Sequence, residues 1–169
     1  MTRALALAVA GLCGCGGITG TISLELVTAP GSTVLADVTR ARLTLSEPLT
    51  VVEATRGTDG TFRLELDVLA LGRAGQLTFE GFDAGGARRA LGRTPGLPVA
   101  AIDADVTIYV AAPDTLAAAP VTLDPARTAV GTAAYPFGVL VAGGRDGAGA
   151  ASDRVAIYNV FTHAWQTGV

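Results

Sequence analysis

The sequence contains no lysine and few aromatic residues. Its 12 basic residues are all arginines, and 15 acidic residues bring the formal net charge to -3 at pH 7. No stretch gathers the arginines into a basic face that could neutralise phosphates, which disfavours nucleic acid as a partner. Aromatic residues make up only 5% of the chain, whereas 50% of it is hydrophobic. We therefore expect a core built mainly from small aliphatic side chains.

Cysteine is scarcer than the aromatic residues. The chain has two cysteines, and both lie within the first fifteen residues. Arg3 and the α-amino group provide a positive start, and residues 4–12 form an apolar run. That run is far shorter than the roughly 20 residues that a membrane-spanning helix needs. A charged start followed by a short apolar run is typical of a signal peptide, so we leave this segment out of the fold.

The end of that segment, Leu12-Cys13-Gly14-Cys15, resembles the lipobox of bacterial lipoproteins, in which a small residue directly precedes an invariant cysteine. The resemblance implies a signal peptide over residues 1–14, a diacylglycerol thioether on Cys15, and a glycine-rich tether over residues 15–20. Cys13 fits the acceptor role less well, since Leu12 would then occupy the small-residue position. The implied partner is a membrane, reached through the lipid, and the implied location is the cell envelope, at the outer membrane or cell surface. An unlipidated secretory signal and a chance apolar start are the alternatives.

From residue 18 to residue 113 the sequence is typical of β-strands. Short aliphatic and β-branched runs recur about every ten residues between turn signals. The predicted strands cover residues 18–28, 38–46, 50–55, 61–69, 75–82, 87–93 and 105–111. In the segment 61–69 the side chains of Phe62, Leu64, Leu66 and Val68 alternate with polar ones, which indicates a half-buried strand.

Two glycine-containing turns separate these strands. Residues 57–60 contain Asp59-Gly60 between two apolar runs, a strong signal for a hairpin that pairs strand 50–55 with strand 61–69. Residues 83–86 predict a second hairpin between the next two strands. The strand count favours a seven-stranded β-sandwich over residues 18–113, which resembles immunoglobulin-like and transthyretin-like modules in architecture alone. Residues 114–126, rich in proline and alanine, are predicted to be an extended linker.

Beyond the linker, residues 127–169 contain a glycine pair behind an apolar run, then a tyrosine, then the only tryptophan. This order and spacing resembles one kelch repeat, the blade of a β-propeller. The matching residues are Arg127, Gly143, Gly144, Tyr158, Thr162 and Trp165. The resemblance implies a sheet in which the glycines permit close backbone approach, while the tyrosine and tryptophan fill the space between neighbouring blades.

A single blade raises a difficulty, because propellers usually need about 4 to 8 of them. Three explanations stay open: the chain is the front end of a longer propeller protein, its blade packs on the sandwich, or copies of the chain assemble. We favour the first, and so expect one kelch-type blade after the sandwich in an all-β chain.

Residues that could carry chemistry are few. His163, the only histidine, is expected in an exposed turn and is not expected to act as a base. One histidine and a lipid-capped cysteine cannot form a tetrahedral metal site, and the acidic pairs 146/153 and 103/105 lack the spacing of a calcium loop. The glycine-rich segment 143–152 lacks the Gly-Lys ending of a phosphate-binding loop. These observations predict no enzyme activity, no cofactor and no metal.

The function expected from the sequence is that of a non-catalytic, surface-anchored lipoprotein. It would serve as a binding or structural module, with a protein or a glycan as its ligand. The alternative is the non-catalytic N-terminal part of a larger secreted kelch-propeller enzyme.

Overall fold

The computed structural model describes residues 19–62, 64, 66–69, 74–98 and 104–167. This part of the chain forms thirteen strands in three sheets and contains no helix, so the prediction of an all-β protein is confirmed. No membrane-spanning helix is therefore found among the described residues. Signal peptide, Cys15 and most of the tether fall in residues 1–18, outside the described part.

The first nine strands form a seven-stranded sheet and a two-stranded one. Their bounds are β1 Thr19–Val27, β2 Arg40–Ser46, β3 Leu49–Thr55, β4 Asp67–Leu69, β5 Ala74–Gly75, β6 Leu77–Phe82, β7 Arg88–Arg93, β8 Leu97–Pro98 and β9 Ala104–Ala111. The large sheet has the order β3-β2-β6-β7-β9-β1-β4, and β5 pairs with β8. Strands β1 and β9 run parallel, whereas the other pairs are antiparallel.

The large sheet curls into a half-barrel around the core. Alternate residues of β2 (Ala41, Leu43 and Leu45) and of β6 (Leu77 and Phe79) are completely buried. Ile108 and Val110 of β9 join them, as the alternation in the sequence predicts. Phe79 is the only aromatic residue among the fully buried side chains, which agrees with the expected aliphatic core.

Six of the seven predicted strands lie within two residues of the observed bounds, and the exception is the segment 61–69. There the strand assignment begins only at Asp67. Leu66 is nevertheless buried, and Phe62 and Leu64 pack against the core. The alternation therefore identified the buried side chains correctly, although the described residues Phe62, Leu64 and Leu66 lie outside the strands.

The hairpin predicted at residues 57–60 is wrong, although its turn forms. The Gly60 N–H donates to the Gly57 carbonyl at 2.9 Å, and Gly60 has a φ of +80°. Among the described residues, β3 pairs with β2 alone, whereas β4 pairs with β1 at the opposite edge of the sheet. The turn sets only the local direction of the chain. Leu66 after it is buried in the core, and the segment continues to β4 at the other edge of the sheet.

The turn at residues 83–86 does connect a hairpin, because β6 and β7 pair directly. The Asp83 N–H donates to the Ala87 carbonyl at 3.0 Å, and the Asp83 carboxylate accepts from the Ala87 N–H at 2.9 Å. Gly86 supplies the positive φ, +83°, that this turn requires. This second hairpin prediction is confirmed.

The C-terminal strands form a separate four-stranded antiparallel sheet. They are β10 Gly131–Tyr135, β11 Gly138–Ala142, β12 Val155–Asn159 and β13 Ala164–Thr167, in the order β10-β11-β12-β13. All five residues of β10, which lies at one edge, are exposed. Residues 112–127, which contain no strand, connect this sheet to β9.

Candidate functional site

The glycine pair ends β11, and both glycines have left-handed backbone angles. Gly143 has a φ of +65° and Gly144 a φ of +95°. A Cβ on Gly144 would lie 2.6 Å from the Thr128 carbonyl oxygen and 2.8 Å from a methyl carbon of Val130. Thr128 and Arg145 exchange two backbone hydrogen bonds of 2.9 Å there. Gly144 therefore allows the segment that enters β10 to lie directly against the end of β11.

Arg127, at the end of the linker, forms hydrogen bonds to the backbone beside the glycine pair. Its Nη1 atom donates to the Gly143 carbonyl at 2.9 Å and to the Arg154 carbonyl at 2.6 Å. Its Nε atom is buried without a hydrogen-bond partner. The guanidinium thus links the two ends of the loop between β11 and β12, at Gly143 and Arg154. This gives a structural reason for an arginine at this position.

The tyrosine and tryptophan of the repeat form a cross-strand pair. Tyr158 of β12 lies directly opposite Trp165 of β13, and their ring centroids are 5.1 Å apart. The indole Nε1 donates to the Val121 carbonyl at 3.3 Å, so the pair also contacts the linker. The structure therefore brings Tyr158 and Trp165 together, whereas Gly143 and Gly144 lie beyond the other end of β12, where Ala142 is paired with Val155.

His163 lies in the turn between β12 and β13 and is half-buried, so the expectation of an exposed histidine is wrong. Its ring centroid is 6.0 Å from that of Tyr109 on the large sheet and 6.2 Å from that of Tyr158. Its φ of +51° lies in a region that non-glycine residues seldom adopt. The four-stranded sheet therefore meets the large sheet at this side chain.

Burial favours the neutral form of the His163 ring. The Tyr158 hydroxyl lies 3.0 Å from Nδ1, and it donates to that nitrogen in the tautomer that carries its proton on Nε2. Burial lowers the pKa of His163, and a hydrogen bond with the Thr107 backbone partly opposes this effect. Burial and the nearby Tyr109 raise the pKa of Tyr158, so its hydroxyl remains a donor.

A cleft of about 580 Å³ lies between the two sheets and the linker. We call it the seam cleft. Its lining includes Leu91, Arg93 and Tyr109 of the large sheet, Pro120 of the linker, and Tyr158 and His163 of the four-stranded sheet, which we call the small sheet. Tyr109 alternates along β9 with the buried Ile108 and Val110, so the period-2 pattern places it on the outer face of the strand. Nothing in the local sequence indicates that another sheet covers that face. Sequence reasoning therefore missed this site.

The other clefts are more polar. One lies beside β3 and the turn at residues 57–60, and another lies beside Arg127 with Asp124, Asp153 and Arg154 in its wall. Asp146 closes its own loop by accepting hydrogen bonds from the Ala148 and Ala150 N–H groups, both at 2.9 Å. In the described part of the chain, no three His, Cys, Asp or Glu side chains cluster as metal ligands would.

The chain was also compared with known proteins. Its sequence matches no protein-family model, and it matches no curated protein or solved structure. The resemblance to a kelch repeat therefore stays a prediction from the sequence.

Proposed function

We propose that this protein is a non-catalytic lipoprotein of the bacterial cell envelope that serves as a binding or structural module. In this proposal Cys15 carries the lipid, residues 18–113 form an immunoglobulin-like or transthyretin-like sandwich, and residues 127–169 form one kelch-type blade. The lipid anchor makes a membrane its partner, and the loops of the blade would bind a protein or a glycan.

The observation that carries the binding or structural role is that Gly144, Tyr158 and Trp165 of the kelch-like pattern all make packing contacts in and around the four-stranded sheet β10 to β13. Gly144 accommodates a close backbone contact, and Tyr158 packs on Trp165. His163 contacts two tyrosine rings, and its Nδ1 is engaged by a phenol hydroxyl. These interactions support a role in holding sheets together, in a chain whose function is binding or spacing.

The anchor is tested by replacing each cysteine separately in a bacterial host. We expect the unchanged protein and Cys13→Ser to be found in the membrane fraction and to incorporate an alkyne-tagged fatty acid. Cys15→Ser should lose both properties, because the acceptor thiol is gone. Absence of labelling in the unchanged protein would overturn the lipoprotein proposal, whereas membrane retention and labelling of Cys15→Ser would overturn the assignment of Cys15 as the acceptor. Loss of labelling in Cys13→Ser alone would show that the acceptor is Cys13 instead.

A further inference from the structure

We propose that the seam cleft binds a small aromatic carboxylate. This inference names a ligand class for the binding module and so rests on the binding role proposed above. Three features of the cleft support it: its apolar walls, the Arg93 guanidinium without a partner among the described residues, and the tyrosine hydroxyl groups, which already form hydrogen bonds within the protein.

Aromatic and aliphatic side chains form the walls of the cleft. Tyr109, Tyr158 and His163 are all half-buried, and their rings lie about 6 Å apart from one neighbour to the next. Leu91 and Pro120 complete an apolar surface. A volume of about 580 Å³ lies within the range of roughly 300 to 1,000 Å³ that is usual for small-molecule sites. The walls therefore suit a flat apolar body such as a fused aromatic ring.

Arg93 supplies the charge. It is exposed at the end of β7, and its guanidinium makes no ion pair or hydrogen bond within the described part of the chain. Other arginines on this sheet are paired: Arg42 with Glu53 at 2.7 Å, and Arg89 with Asp83 at 2.7 Å. Among the residues that the structure describes, no acidic one lines the seam cleft. An unpaired arginine without a neighbouring carboxylate is complementary to a carboxylate on the ligand.

The hydroxyl groups in the cleft are already engaged. The Tyr109 hydroxyl donates to the Ala118 carbonyl at 2.5 Å, and the Tyr158 hydroxyl is bonded to His163. Both tyrosines therefore offer ring faces to a ligand and leave Arg93 as the main polar group. A ligand with one carboxylate and few other polar atoms fits this arrangement, whereas a sugar would leave many hydroxyl groups without partners.

Isothermal titration calorimetry on the full chain tests this proposal with two probes of the same shape. They are 2-naphthoate, which carries the carboxylate, and 2-naphthylmethanol, which is neutral. We expect saturable binding of one naphthoate per chain, about tenfold or more tighter than binding of the alcohol, because the alcohol lacks the charge that Arg93 recognises. Added salt should weaken naphthoate binding, since Arg93 is exposed.

Arg93→Ala should remove the preference for naphthoate over the alcohol. Arg154→Ala is its matched control: its guanidinium also lacks a partner in the described structure, but it lies in the wall of another cleft. This control should bind naphthoate as the unchanged protein does. The proposal is overturned if naphthoate does not bind saturably, if it binds no tighter than the alcohol, or if Arg154→Ala weakens binding as much as Arg93→Ala.

The probe comparison on the unchanged protein needs no variant, so it decides the matter even if Arg93→Ala does not fold. Failure of naphthoate binding would leave the outcome of the Cys15→Ser fractionation untouched. Failure of that fractionation would remove the anchor and not the ligand.

Discussion

At the scale of single residues, Gly144 meets two constraints that a side chain would violate together. Its φ of +95° disfavours any residue with a Cβ, and its surroundings leave no room for that atom. Gly149 has a similar φ of +83°, but nothing lies within 4 Å of where its Cβ would be. An alanine at Gly149 would therefore meet backbone strain alone, whereas an alanine at Gly144 would meet both backbone strain and a steric clash.

We expect Gly144→Ala to lower the free energy of unfolding by about 3 kcal/mol or more, because left-handed strain and a clash with the Thr128 carbonyl add together. Gly149→Ala should lower it by about 1 kcal/mol, from strain alone. Urea unfolding followed by Trp165 fluorescence measures both changes. Equal losses in the two variants would show that the close contact at Gly144 is absent.

The ionisation of His163 makes stability depend on pH. Its folded pKa lies below the ordinary value of 6.5, so the unfolded chain binds more protons as the pH falls through that value. Stability is therefore fully present well above pH 6.5 and declines as the pH falls through that value. Arg93, Tyr109 and Tyr158 are the other ionisable side chains among the described residues that line the cleft around it.

Thermal unfolding of the unchanged protein at about pH 7.5 and about pH 5.5 should show the lower midpoint at the acidic pH. His163→Asn should lose most of this difference, because asparagine tolerates the left-handed backbone and carries no ionisable group. Glu53 and Asp83 have pKa values lowered by Arg42 and Arg89, so their contributions are lost only at more acidic pH. An unchanged pH dependence in His163→Asn would contradict the burial of this ring.

At the scale of strands and turns, the sequence predicts where strands lie better than it predicts their partners. The alternation that buries Leu43 and Leu45 in β2 is a local property, which any period-2 pattern reveals. Pairing depends on how the whole sheet closes around its core. For that reason the turn at Gly60 is present, yet the strand after it pairs with β1 and not with β3.

The aromatic residues of the small sheet illustrate the same limit. Spacing alone singled out Tyr158 and Trp165, and the register places them opposite each other. The kelch resemblance implied that they fill a gap between blades. In this chain Trp165 donates to the linker at Val121, and Tyr158 lines the seam cleft. The contacts with the linker and with the large sheet come from residues more than thirty positions away, such as Val121 and Tyr109, which no local pattern reports.

At the scale of the whole molecule, the central feature is the contact between the two sheets. The sequence left open whether a lone blade packs on the first domain. The described structure has such contacts, through Tyr109 and His163 and through the linker. Tyr109 looked like an outward residue of an amphipathic strand, and His163 like a surface residue. Their contact brings them into one cleft, and the ligand proposal depends on it.

That contact is tested most directly by nuclear Overhauser effects from the ring of His163 in the full chain. Because the protein has one histidine and three tyrosines, selective labelling makes the assignments unambiguous. We predict cross-peaks from His163 to Tyr158 and to Tyr109, and none to Tyr135, whose ring pairs with Phe137 instead. Cross-peaks to Tyr158 without any to Tyr109 would show that the two sheets do not meet at this seam, and would contradict the account.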